Sequence, residues 1–119
     1  MKSLSRNEAR KIRHRRIRAK ISGTANRPRV CVYKSLKHLY LQFIDDEKGH
    51  TLLGLSDMHL SKKEQEKPKL KRAEALAKLA AKKAKKLGIK AIVFDRSGYP
   101  YHGIVKKIAE TLRQEGLKF

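Results

Sequence analysis

Short apolar runs, separated by polar connections, mark the first half of the chain. The letters RVCVYKS, HLYLQFID and HTLLGLSD stand at residues 29–35, 38–45 and 50–57. They are rich in β-branched, aromatic and leucine residues, a composition typical of strands. KSLKH and DDEKGH separate them, and the second separator contains a turn glycine. The pattern predicts a three-stranded antiparallel meander.

The middle run indicates how this sheet should be buried. Side chains alternate between the two faces of a strand. One face carries Leu39, Leu41 and Phe43, and the other carries Tyr40, Gln42 and Ile44. Because neither face is purely polar, we expect one side of the sheet to be buried and the other to be partly covered.

Two helical patterns and one more strand fill the second half. Between Pro68 and Gly88, leucine and alanine recur at three- and four-residue spacing from Leu70 to Leu87, which predicts a helix. KAIVFD, at residues 90–95, predicts a fourth strand. HGIVKKIAETLRQEGL, at residues 102–117, predicts the last helix.

The order β-β-β-α-β-α restricts the topology. A strand–helix–strand unit makes strands 3 and 4 parallel, with a right-handed crossover. Antiparallel pairing along the meander then makes strand 1 parallel to both. If strand 4 passes the meander and pairs with strand 1, the sheet order is 3-2-1-4. The fold class is therefore α/β, in a single globular domain over residues 27–119.

This order brings two distant loops together, because open α/β sheets bind ligands at the carboxyl ends of their parallel strands. The loop after strand 1 and the loop after strand 4 both carry cations, hydroxyls, aromatic rings and imidazoles, which suit phosphates and unpaired bases. Simpler roles remain open, since Asp95 can cap a helix or pair with Arg96, a tyrosine ring can close the core, and His102 can be structural. The two sets are Tyr33, Lys34, Ser35, Lys37 and His38, and Asp95, Arg96, Tyr99, Tyr101 and His102.

Charge narrows the choice of partner. The chain has 31 Lys+Arg against 11 Asp+Glu, a formal net charge of +20, which attracts polyanions. Nucleic acid, an acidic membrane surface and an acidic protein all qualify. A protein that binds a membrane surface would be expected to carry exposed apolar residues beside its basic cluster. The most basic segment of this chain does not carry them.

That segment is residues 1–26. Its first twenty residues hold six arginines and three lysines against Glu8, and its isoleucines are too scattered to form a core. We expect a flexible basic arm, disordered or a nascent helix in the free chain. A tail that only aids solubility is the alternative, but arginine in preference to lysine suits bidentate phosphate contact. The lysines of the predicted helix at residues 70–87 have two possible interpretations. They form either a solvated helix face or a second surface that faces RNA.

The sequence contains few of the residue patterns that enzyme active sites require. The five histidines show no metal-ligand spacing, and neither a phosphate-binding G-x-x-x-x-G-K motif nor G-x-S-x-G occurs. A lone Cys31 favours a reducing, intracellular setting. A two-metal nuclease on a ribonuclease-H-like sheet would need clustered carboxylates. We expect Asp45 and Asp46, after antiparallel strand 2, to lie at the opposite end of the sheet from Asp95.

Three motifs resemble a known family. R-P-R at residues 27–29, S-x-K-H at 35–38 and F-D-R-x-G-Y-x-Y-H-G at 94–103 are together highly specific. Nearly the whole chain resembles the bacterial-type large-subunit ribosomal protein family L-eighteen, and its least typical part is the connection at residues 57–68. The resemblance implies no catalysis, cofactor or metal, and a cytoplasmic location within the ribosome.

The resemblance also implies partners: 5S rRNA, the large-subunit rRNA, and neighbouring proteins of the central protuberance. No membrane is implied, and the free chain is expected to be a monomer. An architectural DNA-binding protein is the alternative, although aromatic residues concentrated in loops favour folded RNA. The candidate RNA-binding residues are Arg6, Arg10, Arg13, His14, Arg15, Arg16, Arg18, Lys20, Arg27, Arg29, Lys34, Ser35, Lys37, His38, Tyr40, Arg96, Tyr99, Tyr101 and His102.

Overall fold

A computed structural model describes residues 4–119. Its four strands are β1 (Arg29–Lys34), β2 (Leu39–Asp45), β3 (His50–Ser56) and β4 (Val93–Asp95). Its α-helices are α1 (Arg6–Arg18), α2 (Lys62–Gln65), α3 (Lys69–Lys86) and α4 (Gly103–Gln114), and one 3-10 turn spans Asp57–His59.

The strands form one mixed sheet in the order β3-β2-β1-β4, which confirms the predicted order and the α/β class. Strand β1 pairs antiparallel with β2, from Arg29 opposite Ile44 to Lys34 opposite Leu39. It pairs parallel with β4, from Arg29 opposite Val93 to Cys31 opposite Asp95.

Helices α3 and α4 pack together and contribute, with one face of the sheet, to a single hydrophobic core. The alanines of α3 let the helix approach its neighbours closely. The predicted ends of its stripe, Leu70 and Leu87, remain exposed, whereas Leu76 and Ala81 are buried. The sheet residues of the core are Val30, Val32, Leu39, Leu41, Phe43 and Leu55. The opposite face is partly covered, as expected, since Cys31 and Tyr40 are half-buried there whereas Tyr33 and Gln42 are exposed.

The short length of β4 corrects one expectation. Because Asp95 pairs with Cys31, strand β4 ends beside the beginning of β1. Strand β2 is antiparallel to β1 and ends at that same place, where Asp46 follows it. The expectation that Asp46 lies at the opposite end of the sheet from Asp95 is therefore wrong, and Arg29 contacts both carboxylates.

The expected disorder of the basic arm is not confirmed. Residues 6–18 form helix α1, and Ser5 caps it by accepting a hydrogen bond from the backbone N–H of Glu8. None of its residues is buried, yet its side chains bond to the loop after β4. Residues 1–3 of the predicted arm lie outside the described residues. No helix within residues 4–119 is both long and apolar enough to span a membrane.

Candidate nucleic-acid interface

Two clefts flank helix α1. The first, of about 580 Å³, lies on the open face of the sheet and includes Tyr33, Tyr40 and Gln42 in its lining. The rings of Tyr33 and Tyr40 lie 5.7 Å apart, and Tyr33 is 51% exposed. Tyr40 is half-buried. An exposed aromatic face such as that of Tyr33 can stack on an unpaired base.

The second cleft, of about 980 Å³, lies between the first half of α1 and the turn after β1. Arg10, Lys11 and Tyr33 line both clefts, so the two adjoin. Among residues 4–119, no Asp or Glu contributes to either lining. A channel with cationic and aromatic walls and no carboxylate suits a polyanion that also presents flat rings.

Helix α1 has two chemically similar faces with different tasks. Its inner face bonds to the domain: Arg10 Nη1 donates to the Ser97 carbonyl at 3.0 Å, and Arg13 Nε donates to the Gly98 carbonyl at 2.9 Å. Its outer cations are exposed and include Arg6, Arg15 and Arg16, with Lys20 just beyond the helix. The inner cations position the helix, while the outer cations are free to meet phosphates.

Gly98 explains why the helix can lie so close. Its φ is +78°, in the left-handed region that favours glycine. A Cβ placed there would collide with the backbone oxygen of Arg10. A side chain at position 98 would therefore displace α1 from the loop.

A buried ion cluster joins α1, β1, β2 and β4. Arg29, 6% exposed, donates from Nε and Nη2 to both carboxylate oxygens of Asp46, at 2.9 and 3.1 Å. Its Nη1 donates to Asp95 at 2.8 Å, and His14 Nε2 donates to the same Asp95 oxygen at 3.0 Å. Arg18 reaches Asp46 at 3.3 Å. These bonds satisfy charges that would otherwise be costly to bury.

The cluster shifts the proton affinities of its members. The hydrogen bonds from Arg29 lower the pKa of Asp46 to about 2. Burial acts to raise the pKa of Asp95, but bonds from His14, Ser97 and Arg29 outweigh it and hold that pKa below its usual value. Burial raises the pKa of Cys31 to about 12, so the thiol stays protonated and is a poor nucleophile.

The cluster predicts acid sensitivity. Because the pKa of Asp46 falls from 3.8 to about 2 on folding, its contribution is present above pH ~4 and is lost as the pH falls toward 2. The shift corresponds to about 2 kcal/mol. We expect Asp46→Asn to be less stable at neutral pH and to lose less stability on acidification, measured by urea unfolding from pH 6 to pH 2. Glu47→Gln, at an exposed neighbour, should follow the wild type; an identical acid profile for Asp46→Asn would contradict this assignment.

The predicted meeting of the two loops is confirmed, but a buried residue makes the contact. The Tyr99 hydroxyl accepts from the backbone N–H of Lys34 and donates to its carbonyl, each at 3.3 Å. Tyr99 is only 8% exposed. The Arg10 guanidinium lies 4.7 Å from its ring centroid and the Lys34 ammonium 5.2 Å. Arg96 Nη1 donates to the Tyr99 carbonyl at 2.7 Å, so it also supports the loop.

Other candidate residues divide by position. Arg29 and Tyr99 are buried, and their side chains bond within the protein. Lys37 and His102 are exposed. Arg27 and Tyr101 line a separate cleft with Phe119 that includes no residue of α1, so the structure does not bring these two candidates into the site beside that helix.

The turn at residues 35–38 is held in place by residues that the sequence analysis missed. Lys69 Nζ donates to the Ser35 carbonyl at 2.6 Å, and Arg72 Nη1 donates to the Lys37 carbonyl at 2.9 Å. Buried Asp57 accepts from Arg72 at 2.6 Å and from His38 at 3.0 Å. No sequence signal linked these distant residues to the turn. No group of three or more potential metal ligands occurs within residues 4–119.

The fold and these clefts define a small α/β protein with a basic surface whose chemistry suits a polyanion. The sequence profile described as "Ribosomal L18 of archaea, bacteria, mitoch. and chloroplast" matches residues 4–119. The chain therefore belongs to the ribosomal L18 family, whose members are structural rather than catalytic proteins of the ribosome.

Similar proteins cover almost the whole chain, and each is named "Large ribosomal subunit protein uL18". One from Caldicellulosiruptor saccharolyticus is 51% identical, over 99% of this chain and 97% of its own. One from Caldanaerobacter subterraneus subsp. tengcongensis is 53% identical, over 97% and 96%. One from Thermotoga neapolitana is 49% identical, over 100% and 99%.

Proposed function

We propose that this chain is a structural component of the large ribosomal subunit that binds 5S rRNA and helps attach it to the large rRNA in the central protuberance. Its place of action is then the cytoplasm, and the free protein is a monomer. The observation that carries the proposal is the pair of adjoining clefts beside α1, which combine cations with the exposed Tyr33 and the half-buried Tyr40 and have no carboxylate in their lining. The names of the similar proteins support the ribosomal setting.

The residues divide the work by chemistry. Tyr33 and Tyr40 would stack on unpaired bases, because every base has a π-face. The outer cations of α1 would hold phosphates, where arginine's planar fork favours bidentate contact. Lys37 would contact the same RNA from the turn after β1.

Attachment of one RNA to another requires a second surface. Helix α3 lies on the opposite side of the sheet from the tyrosine pair. It exposes Lys71, Lys78, Lys82, Lys83, Lys85 and Lys86. Glu74 pairs with Lys78 and with Lys107 of α4, which leaves most of this lysine surface uncompensated. It is suited to backbone phosphates without base readout.

A competition experiment tests the preference for folded RNA. We expect 5S rRNA to displace duplex DNA of equal length from the protein, at 100 mM salt, with at least a tenfold advantage in affinity. The reason is that stacking on unpaired bases is worth about 1–3 kcal/mol per base and duplex DNA offers none. Tyr33→Ala should reduce the advantage, and Tyr101→Ala, in the separate cleft, is the matched control. Equal affinities for RNA and DNA would favour the architectural DNA-binding alternative.

A further inference from the structure

Leu36 is the most exposed large apolar side chain within residues 4–119. It is 92% exposed at the tip of the turn between β1 and β2. A single exposed leucine is ordinary. This one lies on a turn whose backbone carbonyls accept hydrogen bonds from side chains of α3.

The turn is closed on itself and tied to α3. Ser35 N–H donates to the His38 carbonyl at 2.9 Å, and His38 N–H donates to Ser35 Oγ at 3.1 Å. Lys69 Nζ donates to the carbonyls of Ser35 and Leu36, at 2.6 and 3.3 Å. Arg72 donates to the carbonyl of Lys37. The backbone carbonyls of Ser35, Leu36 and Lys37 therefore all accept hydrogen bonds.

A buried carboxylate fixes this support in turn. Asp57 is 1% exposed and accepts hydrogen bonds from Arg72 and from His38. Two layers of bonds therefore set the position of a side chain that itself touches almost nothing. Rigid presentation of an apolar group reduces the ordering cost of binding.

The surroundings of Leu36 identify the partner's chemistry. Leu36 forms part of the second cleft, together with the apolar side chains of Leu4, Pro100 and Ile104. The cations of that cleft include Lys34 and Lys69. Burial, and then the charges of Lys34 and Arg72, lower the pKa of Lys69, so positive charge is crowded there. An anion with an apolar face would relieve the charge and cover the leucine.

We propose that Leu36 is an apolar wedge that packs against an unstacked nucleobase of the bound rRNA, while the neighbouring cations hold that nucleotide's phosphates. The proposal rests on the proposed function. The wedge differs from the tyrosine pair, because it makes an aliphatic contact and lines the second cleft but not the first. Apolar side chains inserted beside bases act in this way in other nucleic-acid complexes.

The test measures binding of full-length protein to a 5S rRNA transcript at several salt concentrations. Leu36→Ala should weaken binding about tenfold at every salt concentration, because loss of an apolar contact is not screened. Lys37→Ala should instead reduce the slope of log affinity against log salt by about 1. Leu36→Phe should bind at least as well as wild type, and Leu36→Asn should bind as poorly as Leu36→Ala.

Leu87→Ala is the matched control, since Leu87 is also an exposed leucine, at the end of α3. It should bind like wild type, and all variants should keep the wild-type melting temperature. If wild type binds tightly and Leu36→Ala binds equally well, the wedge is overturned while the proposed function stands. If wild type does not bind the transcript, the proposed 5S function fails and the wedge fails with it.

Discussion

Replacement of Asp95 by alanine is expected to lower the free energy of unfolding by about 3–5 kcal/mol, because it removes one of the two carboxylates that pair with the buried Arg29. Asp95 is 0% exposed and accepts from Arg29, His14 and the Ser97 N–H. Its loss would leave the Nη1 end of the buried Arg29 guanidinium without its carboxylate and would free the loop that holds α1. Urea unfolding at pH 7 measures the change.

The surface pair of Lys106 and Glu110 provides a control for Asp95→Ala. Their charged atoms lie 3.8 Å apart and both side chains are about half exposed. Glu110→Ala should change stability by less than about 0.5 kcal/mol. Hydrogen exchange should also show lost protection in α1 for Asp95→Ala and not for Glu110→Ala. A loss below about 1 kcal/mol in Asp95→Ala would mean that the cluster does not hold the helix.

Affinity for 5S rRNA should be steeply salt dependent. If the chain neutralises roughly 6–10 phosphates, affinity falls by ~10³–10⁵ between 50 and 200 mM salt. Replacement of Arg6, Arg15, Arg16 and Lys20 by alanine removes four of the exposed cations on and just beyond α1 and should flatten the slope by about 3. Filter binding over that salt range measures it.

A variant with the same change in net charge separates local contact from general attraction. Replacement of Lys82, Lys83, Lys85 and Lys86 by alanine also removes four charges, on the opposite side of the sheet. It should leave the slope for 5S rRNA almost unchanged, because those lysines line neither cleft. Equal flattening by both variants would indicate attraction by net charge alone.

The sheet was predictable because its signals are local and its topology is constrained. Alternation in β2 grouped Leu39, Leu41 and Phe43 on one face, and the structure shows that this face is the buried one. The crossover rule made β3 and β4 parallel, and the order with β4 beside β1 is the one observed. The loops were expected to meet, and Tyr99 touches Lys34. The length of β4 was not predictable from the apolar pattern. Only three of its residues pair with β1, and that number depends on the backbone hydrogen bonds between the two strands.

The packing of α1 escaped the sequence analysis for a physical reason. Apolar periodicity detects helices that bury an apolar stripe, and α1 buries none. It is held by polar bonds from Arg10, Arg13 and His14 to residues 81 to 87 positions away. Arg29 was predicted to bind RNA for a related reason. The sequence alone does not show that this side chain is buried and paired with two carboxylates.

Ultraviolet crosslinking of the protein to 5S rRNA, with the crosslinked peptides mapped by mass spectrometry, tests the central claim most directly. The claim is that RNA occupies the clefts beside α1, with bases stacked on the open face of the sheet. The account predicts crosslinks at Tyr33 or Tyr40 and none at Tyr101, which lies in the separate cleft. Crosslinks confined to Tyr101 or to the lysines of α3, with none at Tyr33 or Tyr40, would contradict it.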